Sequence, residues 1–220
     1  MRDVSVVVLG KYNAVFAGFL ETANQYLEPC PKVFVRDGQD IPDPGDGWNL
    51  VQGPAVFSMA GNANLGWRAA NPEHDLLYIG DDVRFRSSGP IAQLQADAYS
   101  MPGIGILSPL IIGAASNPLQ TNPHLASITF TKKTLAFICV YIKRDLINSI
   151  GYLDEEFKQY GYDDDDYCRR ARLAGFLLAV TPHVRVVHWE DAHATFRRNP
   201  TWPTEKNREY YFKKWEGKPE

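Results

Sequence analysis

Tyr160-Gly161-Tyr162-Asp163-Asp164-Asp165-Asp166-Tyr167-Cys168-Arg169-Arg170-Ala171-Arg172-Leu173-Ala174-Gly175 sets four consecutive carboxylates against the start of a helix and closes that helix on a glycine. A helix N-terminus is served by one Asn, Asp, Ser or Thr cap and about one further acid against its dipole. Four adjacent like charges repel, so the run is more than capping requires. It reads either as a solvated, over-capped helix start or as a carboxylate aimed into a site. The helix itself is well marked. Arg169, Arg170 and Arg172 lie toward its C-terminal half, where the dipole favours cations, and Gly175 suits the position just past its end.

Upstream, apolar strands alternate with amphipathic helices. Residues 4–9, VSVVVL, are nearly continuously apolar, as a strand buried on both faces of a parallel sheet must be. Asn13 offers a cap, and Val15, Phe16, Phe19, Leu20, Ala23, Tyr26 and Leu27 recur at helical spacing up to Pro29. Residues 32–36 return as a strand ending on Asp37-Gly38, which puts a carboxylate where open α/β sheets bind ligands. Residues 41–47 read as surface loop and 48–57 hold a β-rich patch. Gly61 to Gly66 opens a helix whose glycines permit close backbone approach to a ligand and whose asparagines can cap or bind.

Strand 74–79 runs into Gly80-Asp81-Asp82. Adjacent carboxylates resist joint ionisation unless a cation holds them, so this stretch reads as a divalent-metal site or as a charged turn. A helix over 91–99, a strand over 103–109, an excursion over 117–123, a central strand over 135–142 and a helix from 143 to near Gly151 follow. Residues 176–180 and 184–188 bracket a turn at Thr181-Pro182. The second ends on His188, a metal ligand or a structurally satisfied histidine.

This alternation predicts a single α/β domain with a mostly parallel central sheet flanked by helices. A net charge of -3 gives no overall attraction to nucleic acid or anionic membrane, so any such binding must be local. Cys30, Cys139 and Cys168 show no CxxC spacing, which argues against a zinc knuckle or a disulfide framework and for a reducing compartment. No stretch approaches a membrane span, and the first apolar run is too short for a signal-peptide core; the expectation is a soluble, cytoplasmic protein.

Taken in order, Gly151-Tyr-Leu-Asp-Glu-Glu-Phe157, the run Asp163 to Asp166 followed by Arg170, Ala174-Gly175-Phe176, and Pro182 with His188 resemble four motifs of one family. These are the G-x-hydrophobic-D-E-x-F, E-D-x-D-x-x-x-R, A-G-aromatic and P…H motifs of the family 2 glycosyltransferases with a GT-A fold. Tyr12-Asn13, Asp37-Gly38, Asn64-x-Gly66 and Gly80-Asp81-Asp82 stand in the places of its N-terminal landmarks. The likeness covers residues 4–195. It implies a Rossmann-like donor-nucleotide half over about 1–100 and an acceptor and catalytic half over about 101–195, before a tail at 196–220.

What the resemblance implies is inverting transfer of a hexosyl group from a nucleoside-diphosphate sugar, UDP-linked by expectation, to an acceptor hydroxyl. Leu9, Gly10, Tyr12 and Asn13 would wall the base, Asp37 with Gly38 would bond the base or ribose, and Asn64 and Asp81 would complete donor binding. Asp82 and His188, or His193 in its place, would hold Mn2+ or Mg2+. Asp164 would be the general base, with Asp163, Asp166 and Trp189 on the acceptor side. Two departures stand out: Gly80 replaces the first acid of the DxD motif, and Asp163 replaces a glutamate.

The acceptor is a saccharide or another hydroxyl-bearing molecule. From residue 196 to 218 seven Lys or Arg face three Glu, interleaved with aromatics. That composition suits either a terminal helix packed on the body or a stacking surface for nucleic acid, in which case a hydroxylated base is an alternative acceptor. Two other functions compete. A nucleotidyltransferase would want a Gly-rich, cationic phosphate loop, and only Gly10-Lys11 is present; the other competitor is a non-catalytic sugar-nucleotide-binding module.

Overall fold

In the computed structural model, which describes residues 1–11, 13–37, 41, 43–188 and 203–218, the first strand is buried along its whole length. The N-terminal half contains β1 (Val4–Gly10), α1 (Asn13–Tyr26), β2 (Lys32–Arg36), β3 (Trp48–Gln52), α2 (Met59–Ala69), β4 (Asp75–Gly80), β5 (Val83–Phe85) and α3 (Pro90–Ser100). The remainder contains β6 (Ile104–Ile112), β7 (Thr129–Thr131), β8 (Cys139–Ile142), α4 (Arg144–Ile150), α5 (Asp163–Leu173), β9 (Leu177–His188) and α6 (Thr204–Trp215).

The strands form one mixed sheet in the order β3-β2-β1-β4-β8-β6-β9-β5, with β7 added on β9. Its N-terminal half, β3-β2-β1-β4, is wholly parallel. Beyond it β8 runs antiparallel to both β4 and β6. Alternation along β1 feeds two apolar layers. Val6 and Val8 pack with Phe16 and Phe19 of α1 and Leu94 of α3 on one face. Val7 and Leu9 pack with Ala63 and Trp67 of α2 and with Tyr167 and Ala171 of α5 on the other. Fully burying each of these larger side chains stabilises by about 1.5–3 kcal/mol.

Three local expectations differ. Gly66 lies inside α2 rather than against a ligand: a Cβ there would meet Val7 Cγ1 at 2.4 Å and Val35 Cγ2 at 2.9 Å, so the missing side chain seats the helix on β1 and β2. The turn expected at Thr181-Pro182 is an irregularity within one long strand. Pro109 pairs with Thr181 and Leu110 with Arg185, so the register shift falls beside two residues, Pro109 and Pro182, that cannot donate to the ladder. Residues 135–138 precede β8 as a loop, held by buried Gln120, whose Oε1 accepts from Ala136 N at 2.8 Å and whose Nε2 donates to Ser108 Oγ at 2.9 Å. No described helix is long and apolar enough to cross a membrane.

Candidate active site

The C-terminal ends of β1, β2 and β4 meet at one place because the three strands are parallel and in register. Asp37 N donates to Gly10 O at 2.9 Å and Asp81 N to Leu9 O at 3.2 Å, locking the strand ends together. Above them lies a cavity of about 410 Å³ whose lining includes Leu9, Gly10, Asp37, Asp81, Asp82, Asp163, Asp164 and His188. Eight of the residues expected from the sequence at a donor, metal, catalytic or acceptor position therefore share one space. Tyr12, Gly38, Trp189 and His193 lie outside the described residues, and Asn13 begins α1 with its side chain also outside them.

Asp37 is buried and paired with Lys11 Nζ, which also stands 4.5 Å over the Phe57 ring. Lys11 N donates to Asp81 Oδ2 at 3.0 Å, so one loop residue spans two strand-end carboxylates. Asp82 folds back over residue 80, where a Cβ would meet its Oδ1 at 2.7 Å; glycine leaves that space open. The pairing of Val83 opposite His188 brings the histidine beside Asp82, with Nε2 3.4 Å from Oδ2. His188 Nδ1 lies 2.6 Å from Ala114 O, which can only accept, so Nδ1 carries a proton; Nε2 faces Asp82, donating to that carboxylate when the ring is charged and offering a lone pair when it is neutral. Burial acts to lower the His188 pKa, but the hydrogen bond and charge of Asp82 outweigh it and raise the value.

Among the described residues no three His, Cys, Asp or Glu side chains gather as a metal cluster. Asp82 and His188 are a two-donor set. That set fits a divalent ion of the Mg2+ or Mn2+ kind, which takes one or two carboxylates from protein and fills its remaining positions from phosphate and water, with imidazole favouring Mn2+.

The acidic run enters from the other side. Tyr162, not an Asp, is the N-cap of α5, in the left-handed region at φ 69°, and Gln159 is at φ 58°. Such backbone costs about 1–3 kcal/mol per residue and persists only where its surroundings impose it. Asn207 of α6 imposes it here. Its Oδ1 accepts from Lys158 N at 3.0 Å while Nδ2 donates to the carbonyls of Lys158, Tyr160 and Gly161 at 2.7–3.1 Å.

Helix geometry then divides the four acids. Asp163 and Asp164 line the cavity, and both titrate above the ordinary carboxylate range. Burial pushes Asp163 up to about 6. Burial, then the charges of Asp163 and Asp165, raises Asp164, against N–H groups of Asp165 and Phe137 that favour its ionised form. Burial likewise raises the Tyr160 hydroxyl, with the charges of Asp164, Asp163 and Asp82 adding to it, so this cavity-lining phenol stays protonated.

Asp166, expected on the acceptor side, is wholly buried away from that lining. It accepts from Arg170 Nε at 2.8 Å and Trp215 Nε1 at 3.0 Å, with Lys214 Nζ at 2.7 Å. Lys214 also reaches Asp154 Oδ2 at 2.6 Å, and Tyr210 OH donates to the same carboxylate oxygen at 3.0 Å. The described part of the basic aromatic tail is thus a packed helix that anchors the loops carrying the acids.

Asn64 is also spent elsewhere: it donates to Leu153 O at 2.9 Å and Glu155 Oε1 at 2.8 Å and accepts from Leu153 N at 2.9 Å. Two residues apart on a helix is about 200°, so Asn62 takes the opposite side and lines the cavity instead. Its amide is fully buried and neither its Oδ1 nor its Nδ2 has a hydrogen-bond partner. A buried amide left unsatisfied costs about 1–3 kcal/mol, which a ligand with a matching donor and acceptor would recover. The sequence pattern assigns no site role to Lys11 or Tyr160, and it points to Asn64 rather than Asn62 at the donor. A 3.6-residue period counted from the Ser58 cap, which accepts from Gly61 N, was the available signal for Asn62.

No protein-family model matches the chain and no curated protein matches it in sequence. Solved structures do. GalNAc-T7 with UDP, GalNAc and Mn2+ matches at TM-score 0.70 and 12% identity, over 96% of this chain and 50% of that one. TarS 1–349 of S. aureus in complex with UDP-GlcNAc matches at 0.63 and 15%, over 84% and 58%. Mannosyltransferase PcManGT from Pyrobaculum calidifontis in complex with GDP-Man and Mn2+ matches at 0.62 and 14%, over 96% and 72%. The chain spans half the length of the first and under two thirds of the second. The fold is the GT-A fold of these glycosyltransferases.

Proposed function

We propose that this GT-A-fold protein is a metal-dependent, inverting glycosyltransferase of the family 2 type that moves a hexosyl group from a nucleoside-diphosphate sugar, UDP-linked, to an acceptor hydroxyl. The observation that carries the reading is the shared cavity: strand-end carboxylates, a carboxylate–imidazole pair and a raised-pKa carboxylate line one space. The similar structures hold UDP, UDP-GlcNAc or GDP-Man, two of them with Mn2+, which supports a nucleotide-sugar donor.

The donor half is residues 1–100. Asp37 and the unsatisfied Asn62 amide bond the base and ribose, and Leu9 and Gly10 close against the base. Asp82 and His188 hold a divalent ion, which when bound neutralises charge on the leaving diphosphate. In the half that follows, Asp164 accepts the proton of the acceptor hydroxyl as its oxygen attacks the anomeric carbon. The bond from that carbon to the diphosphate oxygen breaks, the nucleoside diphosphate leaves with its electrons, and the configuration inverts. Burial and the charges of Asp163 and Asp165 raise the Asp164 carboxyl, so that in its ionised form it is a stronger base than an ordinary carboxylate. The thiols of Cys30, Cys139 and Cys168 are free, which suits the cytoplasmic setting expected.

Calorimetric titration of UDP and GDP with and without Mn2+ tests the donor half of the reading. Saturable binding that requires the metal and is lost in Asn62→Leu and Asp82→Asn is expected; absence of nucleotide binding would refute it. NMR of the products from UDP-sugars then separates transfer or slow hydrolysis from nucleotidyl transfer and from binding without turnover.

A further inference from the structure

A second, open cavity of about 390 Å³ adjoins the first, and Ser116 and Asp165 lie on both linings. Asp165, Arg169 and Arg172 line it from α5, spaced four and three residues apart and so on one helix face. Lys132 and Lys133, in the turn after β7, line it from the opposite side, and Asn117, Thr134 and Tyr211 complete it. Among the described residues that line it, four cationic side chains thus accompany one carboxylate, in a chain whose net charge is -3.

The one carboxylate is committed locally: Asp165 Oδ1 accepts from Thr134 Oγ1 at 2.6 Å. Among the described residues no carboxylate lies within ion-pairing distance of Lys132, Lys133 or Arg172. Arg169 forms a fixed floor, buried, with its guanidinium 4.5 Å over the Trp215 ring and Nη2 donating to Lys218 O at 3.1 Å. Gathered like charges repel, and a bound anion removes that repulsion while accepting charge-assisted hydrogen bonds from both sides.

We infer that this basin is the acceptor's anion subsite, taking a phosphate ester group carried by the acceptor beside the hydroxyl that is glycosylated. The inference rests on the glycosyl-transfer reading for the word acceptor, since Asp165 adjoins Asp164 in sequence and both line the first cavity. A hydroxyl reaching Asp164 brings its neighbouring groups over Asp165 and into the basin. A phosphate ester group brings close to two charges and three strong acceptor oxygens for several cations to share, where a carboxylate brings one charge and two oxygens.

The test uses methyl phosphate, with acetate as the carboxylate control, followed by NMR of the protein and of the probe, with and without saturating UDP and Mg2+. Methyl phosphate should bind saturably in both conditions, and acetate about tenfold more weakly. Lys132→Gln/Lys133→Gln/Arg172→Gln should weaken methyl phosphate by at least about tenfold while UDP affinity stays within about twofold of wild type. Lys132→Arg/Lys133→Arg, which keeps the charges, should retain binding. Methyl phosphate that UDP displaces belongs to the first cavity and overturns the inference, as does binding untouched by the triple variant or equalled by acetate. If UDP fails to bind wild type, the donor reading falls, and the arm without UDP still decides whether the basin takes phosphate.

Discussion

Replacing Asp163 by asparagine is expected to stabilise the protein at neutral pH and to leave its stability near pH 4 unchanged. Asp163 is 6% exposed, and burial first, then the charges of Asp165 and Asp166, lifts its carboxyl from 3.8 to about 6, against N–H groups of residues 161 and 163. The folded protein therefore holds this proton more tightly than the unfolded chain. Stability from this group is fully present below pH 4 and is lost as pH rises to about 6. At about 1.36 kcal/mol per pH unit the loss is about 3 kcal/mol.

Asparagine removes the charge at every pH and keeps one oxygen for the N–H groups. Losing the second acceptor offsets about 1 kcal/mol, leaving a gain of about 2 kcal/mol at pH 8. Equilibrium urea unfolding at pH 8 and pH 4 measures it. With a slope of about 2 kcal/mol per molar, the midpoint should rise by about 1 M at pH 8 and stay in place at pH 4. An equal gain at both pH values, or a loss at pH 8, would refute the burial argument. Because the Asp163 charge also raises Asp164, the acid limb of any transfer activity should move to lower pH in the same variant.

Asp164→Asn should lower transfer by about two to four orders of magnitude in initial-rate assays while UDP binding, measured by calorimetry, stays near wild type. Chelation should abolish turnover, and Asp82→Asn should raise the Mn2+ concentration needed for half-maximal rate; full activity in excess EDTA would leave Lys11 as the neutralising charge. Lys214→Met removes a counter-charge shared by Asp154 and the wholly buried Asp166, and should cost about 1.5–3 kcal/mol in chemical denaturation. Gly66→Ala should cost about 1–3 kcal/mol in the same measurement, since its methyl group meets Val7 at 2.4 Å.

The apolar runs and their periods determined much of this protein. Residues 4–9 are apolar apart from Ser5 because β1 is covered on both faces, and Asp37 and the Asp81-Asp82 pair follow strands, so their places at strand ends were legible once the strands were. Strand parallelism then forces those ends together, which is why the donor side of the cavity could be read from order alone.

What the tertiary structure decided is the direction in which each polar side chain is spent. Asn62 and Asn64 are equivalent in composition, yet the rotation of α2 gives one to the cavity and the other to Leu153 and Glu155. Four identical aspartates separate because α5 turns Asp163 and Asp164 inward and drives Asp166 against Lys214 and Trp215 of a helix almost fifty residues away. The tail's lysines and aromatics allowed a basic surface as well as a packed helix, and for the described residues 204–215 only the partners waiting on the body, Asp154, Phe157 and Asp166, show which side chains pack. Local periodicity fixes which face a residue occupies along its own element. It carries no information on what another element brings to that face, because such contacts are set by chain closure over distances that no local pattern records.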